Sequence, residues 1–280
     1  MTNVKIVTDS TVDIEQSIIE ELNIEIVPLS ITIDGESYID RFGIKPDEFM
    51  DKMRNSMELP KSSQPAVGTF VEVYNRLGED GSKIISIHMT GGMSGTVGSA
   101  ESAAGISDSD VTVIDSRFIS FALSFQVVAA AKMAKQGKGV EEIVKKLDEV
   151  RSNTDLFIMV DTLDNLVKGG RIGRGKALIG SLLNIKPIAS LADGVYTPVT
   201  KARSHSQVIK YYTKQFKEDI AGKVVKGVGI AHAGSLKQAQ ALKDALYEAS
   251  GFEDIQIAYT TPVISTHTGP GALALMYYAE

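Results

Sequence analysis

The chain has 280 residues, of which 43% are hydrophobic and 23% charged, and its formal net charge is −6. These values fit a globular protein of two domains or one large α/β unit, and the acidic balance argues against nucleic acid or an anionic membrane surface as partner. The absence of cysteine excludes disulfides, thiolate metal sites and a cysteine nucleophile. With neither a signal-peptide pattern nor an apolar run of about 20 residues, we expect a cytoplasmic protein without stable membrane insertion.

Short β-branched runs alternate with helical patterns along the chain. Predicted strands begin at Val4, Ile24, Lys83, Asp110, Leu156, Lys186, Val224 and Ile255, the last running through Ile264. Predicted helices cover residues 13–22, 46–57, 69–77, 118–136, 140–152, 205–219 and 235–250. This alternation predicts right-handed βαβ crossovers and a mainly parallel sheet, which is the open α/β class.

The stretch LADGVYTPV, residues 191–199, departs from this pattern. Two strand-like arms meet at Asp193 and Gly194, a dipeptide that supplies the positive φ of a tight hairpin. An antiparallel hairpin in the second half suggests a second domain of α+β character. We place the boundary near residues 153–155, so that residues 1–155 and 156–280 form the two domains.

Polar residues follow several predicted strands: TDSTVD at 8–13, TGGMSGTVGSA at 90–100, DS at 115–116 and THTGPG at 266–271. Ligands of open α/β sheets bind beyond the carboxyl ends of strands, so these segments are candidates for a site rich in neutral donors. GGMSGT, at a strand-to-helix turn, favours an anion site. Helix capping is the competing interpretation for Asp13, and also for Ser62 and Ser63 ahead of Val67.

Other motifs do not support a generic site. GRIGRGKA, residues 170–177, has phosphate-loop spacing, but Ala177 replaces the required Ser or Thr. The four histidines show no metal-ligand spacing, so we expect no metal. His267 stands among threonines ahead of GPG, which favours a functional role, whereas the other three are interpreted as structural. Arg171 and Arg174 lie in a glycine-rich turn, where they could bind an anion or simply be solvated.

The motifs TDSTVD, SSQPAVG, GGMSGTVGSA, DS, LVKGGRIG and THTGPGALAL occur in the order seen in the DegV family, which this chain resembles over nearly its whole length. The resemblance implies two α/β domains closing over one long-chain fatty acid, with its carboxylate in a polar pocket at the domain junction and its acyl chain in an apolar tunnel. It also implies a non-catalytic subunit without cofactor, which presents the lipid to a separate ATP-dependent fatty acid kinase subunit for phosphorylation to an acyl phosphate.

Carried over by position, the resemblance assigns ligand binding to Ser62, Ser94, Gly95, Thr96, Arg171, His267 and Thr268. It assigns contact with the kinase to Arg203 and Arg174. Many relatives have Thr where this chain has Ser62, which keeps the hydroxyl, and Ser where it has Ala66, which loses one. No ligand contact is therefore assigned to Ala66.

The apolar stretches 119–134 and 177–185 could line the tunnel, although each could also form ordinary core helices. Two other functions stay open. Ser94 activated by His267 would make an acyl hydrolase or transferase, with Asp9, Asp115 or Asp161 as the acid. The fold is also similar to the substrate-binding half of dihydroxyacetone kinase, in which a histidine forms a covalent adduct with a ketone.

Overall fold

The computed structural model of the protein describes residues 3–178 and 185–280. The strands are β1 (Val4–Asp9), β2 (Glu25–Val27), β3 (Ser30–Ile33), β4 (Glu36–Ile39), β5 (Lys61–Ser63), β6 (Lys83–His88), β7 (Val111–Asp115), β8 (Thr154–Met159), β9 (Lys186–Ser190), β10 (Thr197–Ala202), β11 (Val225–His232), β12 (Ile255–Tyr259) and β13 (Leu273–Ala279). The α-helices are α1 (Gln16–Glu21), α2 (Pro46–Asn55), α3 (Val67–Gly78), α4 (Thr96–Ala104), α5 (Ser120–Lys135), α6 (Val140–Ser152), α7 (Asp164–Lys168), α8 (His205–Asp219), α9 (Leu236–Ser250) and α10 (Pro262–Thr268).

The first half of the chain contains the parallel sheet that the alternating pattern predicts. Its strand order is β2-β1-β6-β7, and every pairing is parallel. Apolar side chains cover both faces, which a sheet between helices requires. The carboxyl ends of β1, β6 and β7 therefore lie along one edge, where their polar segments meet.

The second half forms a six-stranded sheet of order β10-β9-β8-β13-β11-β12, in which only β11 and β12 pair in parallel. The mainly parallel expectation is wrong here, whereas the predicted α+β character is confirmed. The sequence pattern did not reveal β13, the last strand, although it lies in the middle of the sheet and every residue of it is buried. A fully buried strand lacks the period-two alternation that marks a strand with one exposed face.

Helix α5 packs between the two sheets, and its buried side chains belong to the core, whereas Ile119, directly ahead of it, also lines a cavity. Two glycines of β11 allow this close approach. A Cβ on Gly229 would lie 2.2 Å from the Phe121 ring, and one on Gly227 would lie 2.8 Å from the Phe125 ring. Of the second predicted tunnel stretch, residues 179–184 lie outside the described residues.

A third, antiparallel sheet of order β4-β3-β5 carries Ser62. It forms because the single strand predicted from Ile24 to Ile33 breaks around Pro28, whose ring nitrogen has no proton for a ladder hydrogen bond. The predicted antiparallel pairing is confirmed, since β9 and β10 pair antiparallel, and φ is +55° at Asp193 and +75° at Gly194. The expected tight turn is wrong, because residues 191–196 join the two strands.

Across residues 3–178 and 185–280, no helix is long and apolar enough to cross a bilayer. The six-stranded sheet begins at Thr154. The division of the chain into two domains near residue 155 stays a prediction.

Candidate functional site

A cavity lies where elements of both halves of the chain meet. It contains about 580 Å³ of space between protein atoms, part of it open to solvent. Its polar lining residues are Ser62, Ser94, Arg171, His267 and Thr268. Its apolar or aromatic lining residues are Leu29, Met89, Met93, Ile119, Leu156, Ile158, Leu166, Leu191, Tyr196, Val263 and Ile264. Five of the seven predicted ligand-binding residues therefore share one cavity.

A smaller cavity of about 320 Å³ adjoins the first. The two have five lining residues in common, Ile119, Leu156, Ile158, Ile264 and Thr268. Alanines at positions 231, 233, 272 and 274 line the smaller cavity and leave space beside the six-stranded sheet. Ser62, Ser94, Arg171 and His267 line the first cavity and not the second.

Ser62 and His267 form a direct pair, with 2.7 Å between Ser62 Oγ and His267 Nε2. The two residues are 205 positions apart, on β5 and α10. Ser62 is not the helix cap that the competing interpretation suggested, because α3 begins at Val67 with Ala66 as its N-cap residue. The pair joins the small antiparallel sheet to the last helix.

Burial lowers the pKa of His267 to about 4, and the positive charge of Arg171 contributes in the same direction. The imidazole is therefore neutral at pH 7. Its Nδ1 is buried without a hydrogen-bond partner among the described residues. The backbone of Gly169 lies against this side of the ring, since a Cβ there would be only 2.4 Å from Nδ1. His267 thus reaches Ser62 through one nitrogen, and Gly169 limits the space beside the other.

Arg171 bridges two loops of the site. Its Nε donates to the carbonyl of Met93 at 3.0 Å, and Nη1 donates to the carbonyl of Gly169 at 2.6 Å. The guanidinium therefore connects the loop that carries Ser94 with the turn that supports His267. Both of these bonds are to backbone, but the guanidinium has five N–H groups, so others stay available to an anion in the cavity.

Ser94 is the only one of the predicted trio Ser94, Gly95 and Thr96 that lines the cavity within the described part of the chain. Its hydroxyl lies 2.8 Å from that of Thr96, which is fully buried at the start of α4. Gly95 is the N-cap residue, and a Cβ there would meet the side chain of Gln64 at 2.1 Å. Gly95 and Thr96 therefore support Ser94 from outside the lining.

The end of the chain differs from the prediction of one strand through Ile264. Strand β12 ends at Tyr259, and residues 262–268 form helix α10, with Pro262 at its first turn. Gly269, with φ +73°, ends this helix. The GPG corner thus follows a helix instead of a strand, and His267 lies in the last turn. The hydroxyl of Thr268 lines the cavity but donates to the carbonyl of Ile264 at 3.1 Å.

Comparison with known proteins identifies this architecture. Residues 3–280 match the family model described as "Uncharacterised protein, DegV family". The chain belongs to the DegV family. A DegV domain-containing protein of Staphylococcus aureus (strain MRSA252) is 45% identical over 276 residues, 99% of either chain. One from Listeria monocytogenes is 42% identical over 281 residues, the full length of both.

Solved DegV structures share the fold over the full length of both chains. A DegV family protein from Thermus thermophilus, described for its fatty acid binding, has a TM-score of 0.93 at 30% identity. DegV from Bacillus subtilis, described as a fatty acid binding protein, has a TM-score of 0.91 at 32% identity. The resemblance to the DegV family and the two-part α/β fold class are thereby confirmed.

The two arginines predicted to contact a partner lie outside the cavity lining of this DegV protein. Arg174 is exposed, and its guanidinium lies 3.2 Å from a carboxylate oxygen of Asp193 in the β9–β10 hairpin. Arg203 is exposed just ahead of α8, where its backbone N–H is bonded to Gln207. Both are accessible to another molecule.

A Ser–His–Asp triad does not form around His267. Its hydrogen bond is to Ser62, and no carboxylate of the described residues bonds Nδ1. A triad-like chain, Ser86–His88–Asp9, does occur, with distances of 2.6 and 3.2 Å, but all three side chains are fully buried and line neither cavity. Burial acts to raise the pKa of Asp9, but the hydrogen bond with His88 and the charge of His88 lower it, and the net pKa lies below the usual value. Asp9 also accepts the N–H of Met89, so this chain aligns β1 with β6.

Residues 3–178 and 185–280 contain no cluster of three or more His, Cys, Asp or Glu side chains suited to a metal ion.

Sequence reasoning missed Tyr196, which lines the cavity and has a buried hydroxyl without a partner in the described segments. Burial raises the pKa of this hydroxyl. It also missed the supporting role of Gly169. The double glycine of LVKGGRIG was a signal, because a glycine permits close backbone approach.

Proposed function

We propose that this chain binds one long-chain fatty acid, with the carboxylate at the polar side of the cavity and the acyl chain along its apolar walls. The observation that carries the proposal is the Ser62–His267 pair beside Ser94 and Arg171, in a cavity whose other lining is almost entirely apolar. The fatty acid binding described for two solved relatives at 30% and 32% identity supports it.

At the polar side, the neutral imidazole determines how Ser62 is used. When His267 Nε2–H donates to Ser62 Oγ, the serine proton is free to donate to a ligand carboxylate. The hydroxyl of Ser94 and a free N–H of Arg171 add two further donors. A buried carboxylate needs such partners, and hydrogen bonds to an ionised acceptor are about twice as strong as those between neutral groups.

At the apolar side, the acyl chain extends past Ile119, Leu156 and Ile158 toward the adjoining cavity. Burial of about fifteen methylenes contributes roughly 12 kcal/mol gross, at about 0.8 kcal/mol each and before ordering costs. This term gives affinity for the chain, whereas the polar side selects the carboxylate.

We further propose that the bound lipid is presented in the cytoplasm to a separate ATP-dependent fatty acid kinase subunit. A carboxylate oxygen attacks the γ-phosphorus of ATP, the bond to the β,γ-bridging oxygen breaks, and acyl phosphate and ADP form. The chain itself holds the carboxylate and supplies no catalytic group. Exposed Arg174 and Arg203 are the candidate contacts with this partner.

Denaturing extraction of the purified protein, with mass spectrometry of the organic phase, tests the binding step. Near-stoichiometric fatty acid supports the proposal. Protein that yields no lipid and takes up no added fatty acid refutes it. A Ser94→Ala variant then separates a carrier from an esterase: the carrier loses affinity, whereas the esterase loses turnover of an acyl ester.

The kinase step is tested with lipid-loaded protein, ATP and a candidate kinase subunit, by trapping acyl phosphate as a hydroxamate. We expect Arg203→Glu and Arg174→Glu to lower hydroxamate formation while fatty acid content stays unchanged. Unchanged formation in both variants removes these residues from the proposed contact.

A further inference from the structure

Asp40 is a fully buried carboxylate outside the cavity lining, directly after β4. One oxygen, Oδ2, accepts a hydrogen bond from Ser10 Oγ at 2.6 Å. The other, Oδ1, accepts one from the backbone N–H of Val263 at 3.0 Å. Ser10 in turn accepts the N–H of Leu29 at 3.1 Å. Asp40 thus connects the segment after β1 with the start of α10.

Asp40 supplies the N-terminal cap of α10 from a distant part of the chain. The first helical residue, Pro262, has no N–H, and the side chain of the N-cap residue Thr261 makes no capping bond. The N–H of Val263 would otherwise be a buried donor without a partner. A carboxylate at this position both satisfies it and interacts favourably with the helix dipole.

The capped residue and the functional histidine are one helical turn apart. Val263 and His267 are four positions apart, so they lie on the same face of α10, and both line the cavity. The helix has only seven residues, and its other end is held where Asn165 donates to the carbonyl of Thr266 at 2.9 Å. A displacement at Val263 is therefore transmitted to the imidazole.

We propose that Asp40 is a positioning residue for carboxylate recognition: by fixing the start of α10, it holds His267 at hydrogen-bond distance from Ser62. This inference rests on the proposed function, because it assigns to Asp40 the geometry of the site that selects the fatty carboxylate.

The bond geometry carries this role more than the charge does. Burial raises the pKa of Asp40 to about 7, with a smaller contribution in the same direction from the charges of Asp9 and Asp13 and an opposing one from its hydrogen bonds with Ser10 and Val263. The positive charge of Arg41 lies near Asp40, and its Nη atoms donate to the carbonyls of Val12 and Ile14. Asp40→Asn keeps an oxygen for the Val263 N–H and removes the charge, so it is the conservative variant, whereas Asp40→Ala removes the cap.

The test compares each variant for affinity toward a long-chain fatty acid and the fatty alcohol of the same length. Loss of packing around the acyl chain weakens both ligands equally, whereas a displaced His267 weakens the ionised acid more than the neutral alcohol. We expect Asp40→Ala to lower the acid-to-alcohol affinity ratio about tenfold, in line with the loss of one cap, and Asp40→Asn to keep it within about twofold of wild type.

Asp13→Ala is the matched control. Asp13 is another buried carboxylate, but it accepts from the hydroxyls of Ser120 and Thr260, and among the described residues it makes no hydrogen bond to α10. We expect it to reduce stability and leave the affinity ratio unchanged. Asp40→Ser replaces Asp40→Ala if the latter fails to fold, because the shorter serine side chain has one oxygen where Asp40 uses two, Oδ2 for Ser10 and Oδ1 for Val263.

The inference is overturned if Asp40→Ala leaves the acid-to-alcohol affinity ratio unchanged. It is also overturned if Asp40→Asn or Asp13→Ala lowers this ratio as much as Asp40→Ala does. Failure of the proposed function is a different result, because wild-type protein would then bind neither the acid nor the alcohol.

Discussion

Gly169→Ala should disturb the site through one methyl group. The added Cβ would lie 2.4 Å from His267 Nδ1 and 2.9 Å from the backbone carbonyl oxygen of Asn165. Ordinary contacts begin at about 3.4 Å, so the ring must withdraw by about 1 Å. That movement displaces the imidazole from the position in which Nε2 lies 2.7 Å from Ser62 Oγ, so we expect the geometry of this bond to be lost.

Two contributions set the expected loss of stability in Gly169→Ala. Overpacking costs about 1–3 kcal/mol, and the lost Ser62–His267 bond adds about 1 kcal/mol, so the free energy of unfolding should fall by about 2–4 kcal/mol. Losing one hydrogen bond to the ligand carboxylate should weaken fatty acid affinity about 10- to 100-fold. Chemical denaturation and equilibrium binding of a fluorescent fatty acid measure the two quantities.

Gly98→Ala is the control. Gly98 lies in α4 close to Ser94, and a Cβ there meets nothing within 4 Å. Alanine should stabilise this helix by up to about 1 kcal/mol and leave affinity unchanged. Wild-type affinity in Gly169→Ala would refute the reasoning, since the ring would then not be confined by the Gly169 backbone.

Three further predictions concern charge and hydrogen bonding at the site. The pKa of Asp40 is raised from 3.8 to about 7, so the stability that protonated Asp40 contributes is full below about pH 4 and is lost as pH rises to about 7. The loss is on the order of 4 kcal/mol in the free energy of unfolding. Asp40→Asn should remove this pH dependence, which denaturation curves across that pH range would measure. Arg171→Gln should weaken fatty acid affinity about tenfold by releasing the Met93 carbonyl, and it should raise the pKa of His267, followed by NMR titration. Ser94→Ala should weaken affinity about tenfold, while neither it nor wild type hydrolyses an acyl ester; turnover by wild type would contradict the carrier function.

Local patterning predicted a large part of the fold. The parallel sheet around β1 and β6 and the hairpin at Asp193 follow from period-two runs and turn chemistry. Ordered motifs indicated the family, and the polar strand ends indicated where donors gather. The strands, turns and motifs behind these predictions are short segments, in which neighbouring residues alone decide which side chains share a face.

The sequence by itself indicated candidate residues for carboxylate binding, and the tertiary structure decided how they pair. Asp13 reads as a helix cap, yet the N-cap residue of α1 is Glu15, and Asp13 is buried with its pKa raised by burial to about 6. Asp40 lies outside every predicted strand and helix, yet it caps a helix 223 positions away. His267 pairs with Ser62 only because β5 and α10 pack together. Such pairings depend on the relative placement of whole elements, which is set by burial of the common core and not by any local pattern.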